Sequence, residues 1–240
     1  MVSAVRRGSS AFPEVDVTPG ATWDQWVRGL PSISIDSCKI VVVAPHPDDE
    51  TFGCGGLIAA SIRRGAEVVV VTVTDGGGSH PGRCGVPELR RQEQIAAVAA
   101  LGCEREPWWL AYPDGGATAA EPEIAAALLE LATGADLIVA PWPGDRHPDH
   151  GATGRSAIAV GTALDTPVLT YPLWLWRWGA PTDVAHTRWT RMPLGPEAVR
   201  AKEAAMRCYP SQTTDLLGQT IVDAAMLDRF ARPVEVFSHG

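Results

Sequence analysis

Short, continuous apolar runs alternate with segments of helical period along most of the chain. Lys39–Ala44 (KIVVVA) and Glu67–Thr74 (EVVVVTVT) are rich in valine with little polar alternation, the pattern of strands covered on both faces. Residues 106–111 and 136–141 (DLIVAP) predict a third and a fourth strand. Helices are predicted over residues 56–64, 87–101, 122–132 and 150–163; the second has Pro87 at its start and Gly102 just past its end. Further on the pattern loosens, with strands predicted over 167–178 and 184–192 and a helix over 197–208. Residues 1–37 read as an N-terminal extension, in which residues 22–27 form a short helix anchored by Trp23 and Trp26. Strand–helix alternation with buried strands predicts an α/β fold, a Rossmann-like three-layer αβα arrangement around a mostly parallel sheet. In such sheets ligands gather beyond the carboxyl ends of the strands, where the strand order reverses. The usual order sets the first and fourth strands side by side there, so the loops that follow them should face each other.

Composition narrows the function classes. A chain of 240 residues, 45% of them apolar, can bury one large core, so residues 1–240 are expected to form a single domain with the extension packed on it. Net charge of -8 argues against nucleic acid or an anionic membrane as the main partner, because phosphate binding needs clustered Lys and Arg. No apolar run approaches the roughly 20 residues of a membrane span. Arg6-Arg7 is followed by GSSAFPEVD and not by an apolar segment, which reads as neither a secretory nor a twin-arginine signal. Cys38, Cys54, Cys84, Cys103 and Cys208 are odd in number and lack a CxxC pair, which suits reduced thiols in a cytoplasm. A homo-oligomer stays open.

The chemistry concentrates in the two loops expected to meet. After the first strand comes Pro45-His46-Pro47-Asp48-Asp49-Glu50-Thr51, and after the fourth Asp145-Arg146-His147-Pro148-Asp149-His150. Two imidazoles and one carboxylate form a common catalytic zinc set that keeps a position for water. Of two adjacent carboxylates, one can ligate and the other can take a proton from that water. His147 and His150, three apart at a helix start, can face one cleft. Each motif alone would also suit a turn that caps a helix; together, at matching strand ends, they favour a metal site. Calcium would leave the histidines without a role. A dinucleotide-binding oxidoreductase is disfavoured, since two carboxylates stand where a pyrophosphate would need a glycine-rich turn.

PHPDDE together with HPDH resembles the PIG-L/LmbE-like family of zinc-dependent N-acetylglucosaminyl deacetylases, over about residues 39 to 215. The resemblance implies His46, Asp49 and His150 as ligands of Zn²⁺, for which Fe²⁺ or another divalent ion could substitute. It implies Asp48 as general base and His147 as the group that stabilises the oxyanion or protonates the amine. Asp149 would orient His147. Arg90, in Arg90-Arg91-Gln92-Glu93, and Asp114, in Tyr112-Pro113-Asp114-Gly115, match positions that bind sugar hydroxyls in the family. The segment from Lys202 to Gln212 resembles a late structural helix.

The expected function is therefore hydrolysis of the N-acetyl group of an N-acetylglucosamine-type sugar in a small molecule or natural-product glycoside. A different amide, or a sugar-binding module without turnover, are the alternatives; the intact Asp48 and histidines speak against the latter. Two features depart from the family. Asp145 stands where some relatives carry a tyrosine, and Asp75 to His80 replaces a segment with glutamates in others. Residues 76–85 read as a mobile rim loop with His80 exposed. Trp174, Trp176 and Trp178 would share one face of a strand, most simply as core, and Trp142 is the aromatic expected to line the pocket.

Overall fold

The computed structural model describes residues 18–240; the Arg6-Arg7 pair and the rest of residues 1–17 lie outside the described residues. The sheet is built from β1 (Lys39–Ala44), β2 (Glu67–Thr74), β3 (Trp108–Tyr112), β4 (Leu137–Pro141), β5 (Val168–Tyr171), β6 (Trp189–Pro193) and β7 (Val234–His239), in the order β3-β2-β1-β4-β5-β7-β6. The first five strands are parallel, and β7 inserts antiparallel between β5 and β6. As expected, β1 lies beside β4, with Val41 opposite Ile138.

The apolar runs are continuous because both faces are covered. Ile40 and Val42 point into one core, with Leu57 and Ile58 of α2 (Asp49–Arg63), Ala97 and Val98 of α3 (Val86–Ala100), and Ala198 and Ala205 of α7 (Pro196–Met206). Val41 and Val43 point into the other, with Ile124 and Leu128 of α4 (Glu121–Leu131) and Ala152, Ala157 and Val160 of α5 (Pro148–Leu164). The anchor role of the extension's tryptophans holds. In α1 (Gly20–Gly29), Trp23 is fully buried, edge-on to Trp26 and Trp176, with ring centroids 5.4 and 4.9 Å away.

Three elements differ from expectation, each for a local reason. Helix α2 begins at Asp49, but Cys54 (φ -144°, ψ 24°) breaks it, so that the regular helix does start near residue 56. The buried carboxylate of Glu235 accepts the Gly56 and Leu57 amides there, at 2.7 and 2.8 Å, and is itself paired with Lys202. The predicted strand over 167–178 ends at Tyr171, because Pro172 supplies no N–H and the chain turns into the one-turn helix α6 (Leu175–Trp178). The three tryptophans therefore share no strand face. Trp174 and Trp178, four apart, stack at 5.1 Å, while Trp176 turns the other way onto Trp23. Residues 184–192 likewise split: Pro181 opens a turn closed by the Asp183 carboxylate on the Ala180 amide, and β6 starts only at Trp189. The tail adds α8 (Pro210–Thr213) and α9 (Ala224–Phe230), the latter capped by Asp223.

Gly53 marks how closely α2 approaches β5, since a Cβ there would lie 2.2 Å from the Tyr171 ring. No helix among the described residues is long and apolar enough to cross a membrane. The five cysteines are free.

Candidate metal centre

The β1 and β4 loops meet as expected, and they bring His46, Asp48, Asp49, His147, Asp149 and His150 into one cluster. Asp49 Oδ2 lies 3.0 Å from His46 Nδ1 and 3.3 Å from His150 Nε2. A tetrahedral ion with bonds of roughly 2.0–2.2 Å needs donors about 3.4 Å apart, which these separations approach. Nitrogens of His46, His147 and His150 all lie within 4.8 Å of one another.

The outer nitrogens of both proposed imidazole ligands are held by carboxylates. His150 Nδ1 donates to Asp145 at 2.8 Å, which leaves its fully buried Nε2, with no hydrogen-bond partner, facing Asp49 Oδ2 at 3.3 Å. His46 Nε2 faces Asp149 Oδ2 at 3.1 Å and Asp114 Oδ1 at 3.3 Å, which turns Nδ1 towards Asp49. An unpartnered buried imidazole nitrogen beside a second imidazole and a carboxylate fits a divalent cation that takes the place of its proton, with outer carboxylates fixing the ring plane.

Two expectations are corrected here. The Asp149 carboxylate orients His46 and not His147; it also accepts the Gly115 and Ala117 amides at 2.7 and 3.1 Å. The His147 ring lies 4.8 Å from those of His46 and His150, and the Asp149 backbone N–H donates to its Nδ1 at 3.3 Å where His147 caps α5. That contact assigns the His147 proton to Nε2. Trp142 does not line the cavity: it packs edge-on against Trp189 at 5.4 Å. Its place in the wall is taken by Trp174.

Asp48 sits at φ 152°, ψ -26°, a conformation that costs of order 1–3 kcal/mol in a residue with a Cβ and persists where the surroundings over-determine it. Its Oδ1 is 3.0 Å from Arg90 Nη2. Arg90 lines the cavity, but its terminal nitrogens are already engaged by Asp48, Pro47 O and Gly76 O. Gly76 suits that contact: it is left-handed (φ 65°), and a Cβ there would meet the guanidinium at 2.6 Å. Asp114 lines the cavity as well.

Burial opposes charge on both proposed imidazole ligands, yet the carboxylates outweigh it. Asp114, Asp149 and Asp49 hold His46 well above its ordinary value, and Asp49 and Asp145 hold His150 up at about 9. Burial, followed by repulsion from His46 and His150, pushes His147 down to about 4, so its imidazole is neutral at pH 7. A cation must displace the protons of His46 and His150. Metal affinity should therefore rise at least about tenfold per pH unit between pH 6 and 8, with proton release. Metal titration at several pH values checks this; a pH-independent affinity would refute protonation of these two imidazoles in the metal-free protein.

Four residues escaped the sequence reading. Asp145 holds His150 and also accepts the amides of Leu173, Trp174 and Leu175 at 2.8–3.2 Å, so one carboxylate ties a proposed ligand to the cavity wall. Its only signal was its place two residues before HPDH. Asp145→Asn is expected to weaken metal binding about 10–100-fold. Competition with a chromogenic chelator measures it, and unchanged affinity would mean that packing alone orients His150. His80 is buried and not exposed; its Nδ1 bonds Ser79 Oγ and its Nε2 faces Gln219 O at 3.3 Å. Gln219 returns a bond to Ser79 O, so the rim loop is tied to the tail. Gln212 lines the cavity with a buried Oε1 that has no hydrogen-bond partner.

Known proteins carry the same framework. The family model described as GlcNAc-PI de-N-acetylase (PIG-L) matches residues 41–160, half of the 240-residue chain. Diacetylchitobiose deacetylase of Thermococcus kodakarensis is 31% identical over 143 residues, which cover 55% of this chain and 52% of that one. A 1D-myo-inositol 2-acetamido-2-deoxy-alpha-D-glucopyranoside deacetylase of Mycobacterium sp. is 32% identical over 172 residues, covering 56% of each. The chain thus spans about half the length of these relatives. The zinc-inhibited form of teicoplanin deacetylase superposes with a TM-score of 0.67 at 20% identity, over 84% of this chain and 97% of that one, and shares the fold. With the matched segment running from inside β1 to within α5, and so across both loops of the site, the chain belongs to the PIG-L family.

Proposed function

We propose that this chain is a zinc-dependent deacetylase that hydrolyses the N-acetyl group of an N-acetylglucosamine-type amino sugar, acting as one domain over residues 1–240. The observation that carries the reading is the partnerless Nε2 of His150, buried beside Asp49 and His46 and backed by Asp145. His46, Asp49 and His150 would hold the ion, which when bound polarises an amide carbonyl and acidifies water. Zinc suits two imidazoles and one carboxylate, and the deacetylase names of the relatives point to the same reaction.

The remaining steps belong to side chains. Burial pushes Asp48 up to about 8 against the pull of Arg90, so in the metal-free protein it holds a proton at neutral pH. Positive charge at the adjacent site would return it to the carboxylate form. Asp48 then accepts a proton from the water that attacks the acetyl carbon, while Arg90 fixes its position. His147, neutral with its proton on Nε2, donates to the developing oxyanion. The proton held by Asp48 passes to the leaving nitrogen, giving acetate and a free amine. Asp114, which lines the cavity, would accept from a sugar hydroxyl. Free cysteines suit a reducing cytoplasm.

The test is acetate release from N-acetylglucosaminyl glycosides by the zinc-loaded protein, followed by enzymatic acetate assay. A folded, zinc-loaded protein that frees no acetate from any of them would end this reading.

A further inference from the structure

The cavity above the metal centre holds about 340 Å³, and its two halves differ in chemistry. Every titratable residue that lines it, namely His46, Asp48, Asp49, Arg90, Asp114 and His147, belongs to the metal-centre half. The other half is walled by Phe52, Leu173, Ile221, Val222, Met226 and Phe230; the uncharged amides of Gln212 and Gln219 also line the cavity, and among the described residues no charged side chain joins this wall. Most of this wall lies beyond residue 160, outside the segment shared with the family model.

The wall is constructed and not a gap left by loose packing. Phe52 stacks on Phe230 at 5.2 Å with an interplanar angle of 30°. Asp223 caps α9, which carries Met226 and Phe230, by accepting the Met226 amide at 3.0 Å. The same Asp223 is paired with Arg177 of α6, the helix that follows Leu173, so α9 is tied to the segment that supplies Leu173. Asp145 fixes the Leu173 amide.

We propose that the substrate is amphipathic: an N-acylated amino sugar bearing an apolar group, which this wall receives while the amide lies at the metal centre. The inference rests on the deacetylase reading and names its substrate class. A second sugar, a cyclitol or a carboxylate placed against these six side chains would lose its water with only the Gln212 and Gln219 amides nearby to replace it, a cost that apolar surface does not incur. An alkyl or aryl group gains instead, by roughly fourfold in affinity for each methylene buried. The apolar group can come from two sources, the aglycone or an acyl chain longer than acetyl.

The experiment compares four compounds on the zinc-loaded protein, below their micellar concentrations: N-acetylglucosamine, N,N'-diacetylchitobiose, octyl N-acetylglucosaminide and N-octanoylglucosamine. Release of the free amine gives kcat and KM for each, and calorimetric titration gives their affinities. At least one octyl compound should show a KM and a Kd tenfold or more below both hydrophilic compounds, and which one does so identifies the source. Met226→Asp should shrink that ratio to about threefold or less, whereas Met226→Leu should keep it. Equal or weaker binding of both octyl compounds overturns the proposal. If no compound is turned over, the deacetylase reading fails, while the calorimetric ratio still decides the character of the pocket.

Discussion

Exchanging Asp48 for asparagine should lower turnover of an N-acetylated amino sugar by about a hundred- to ten-thousandfold, the range expected when a positioned general base is lost. Asparagine keeps the size of the side chain and an oxygen for Arg90 to donate to, so the strained backbone at φ 152° and the Arg90 contact should survive. It cannot accept a proton from water. The ligands assigned to the ion are other residues, and zinc should still bind within a few-fold of wild type. The expected signature is therefore a fall in kcat with metal content near one equivalent and little change in KM. Leaving Arg90 without a charged partner does cost stability, because its side chain is only 3% exposed. Circular dichroism and a thermal melt separate that loss from the catalytic one. If the folded, zinc-replete variant turns over at the wild-type rate, Asp48 is not the base.

The sequence carried the framework because each β-strand's covering is local information. KIVVVA and EVVVVTVT can only be buried on both sides, and from that follow the parallel sheet, the neighbouring β1 and β4, and the convergence of the two loops. What the sequence could not carry was the choice of partner across distance. Asp149 stands next to His150 and two residues from His147, yet its carboxylate reaches His46, 103 positions away. Asp145 reads as a turn residue, but it gathers His150 and three amides some 30 positions further on. Trp142 adjoins the site in sequence and turns away from it to Trp189, while Trp174, just before a one-turn helix where a strand was expected, lines the cavity. The apolar wall depends on α9 and on the segment before it, where no periodicity signals an element. Spacing reveals which residues are adjacent along one element; long-range pairing of carboxylates and imidazoles is decided by the packing of several.

Replacing His150 with alanine should bring turnover to background, and it tests the metal centre more severely than the base. Its outer-shell partner Asp145 is expected to be worth about 10–100-fold in metal affinity, so loss of an inner donor should cost well beyond that. The imidazole is fully buried, with Nδ1 on Asp145 and Nε2 facing Asp49. Alanine would leave Asp145 with its three backbone amides, which keep that carboxylate satisfied and the β4 loop in place. The variant should consequently fold, hold little zinc after dialysis, and release no acetate. Treating the wild type with a chelator should have the same effect reversibly, with activity restored by Zn²⁺, Fe²⁺ or Co²⁺, since these donors admit more than one divalent ion. The alanine variant should not recover on metal addition at the same concentration. Elemental analysis beside the activity assay distinguishes the outcomes. A His150→Ala protein that retains one equivalent of zinc and full turnover would show that the ion, if it acts, sits elsewhere, and that the carboxylate-backed imidazole serves only the packing of the β4 loop.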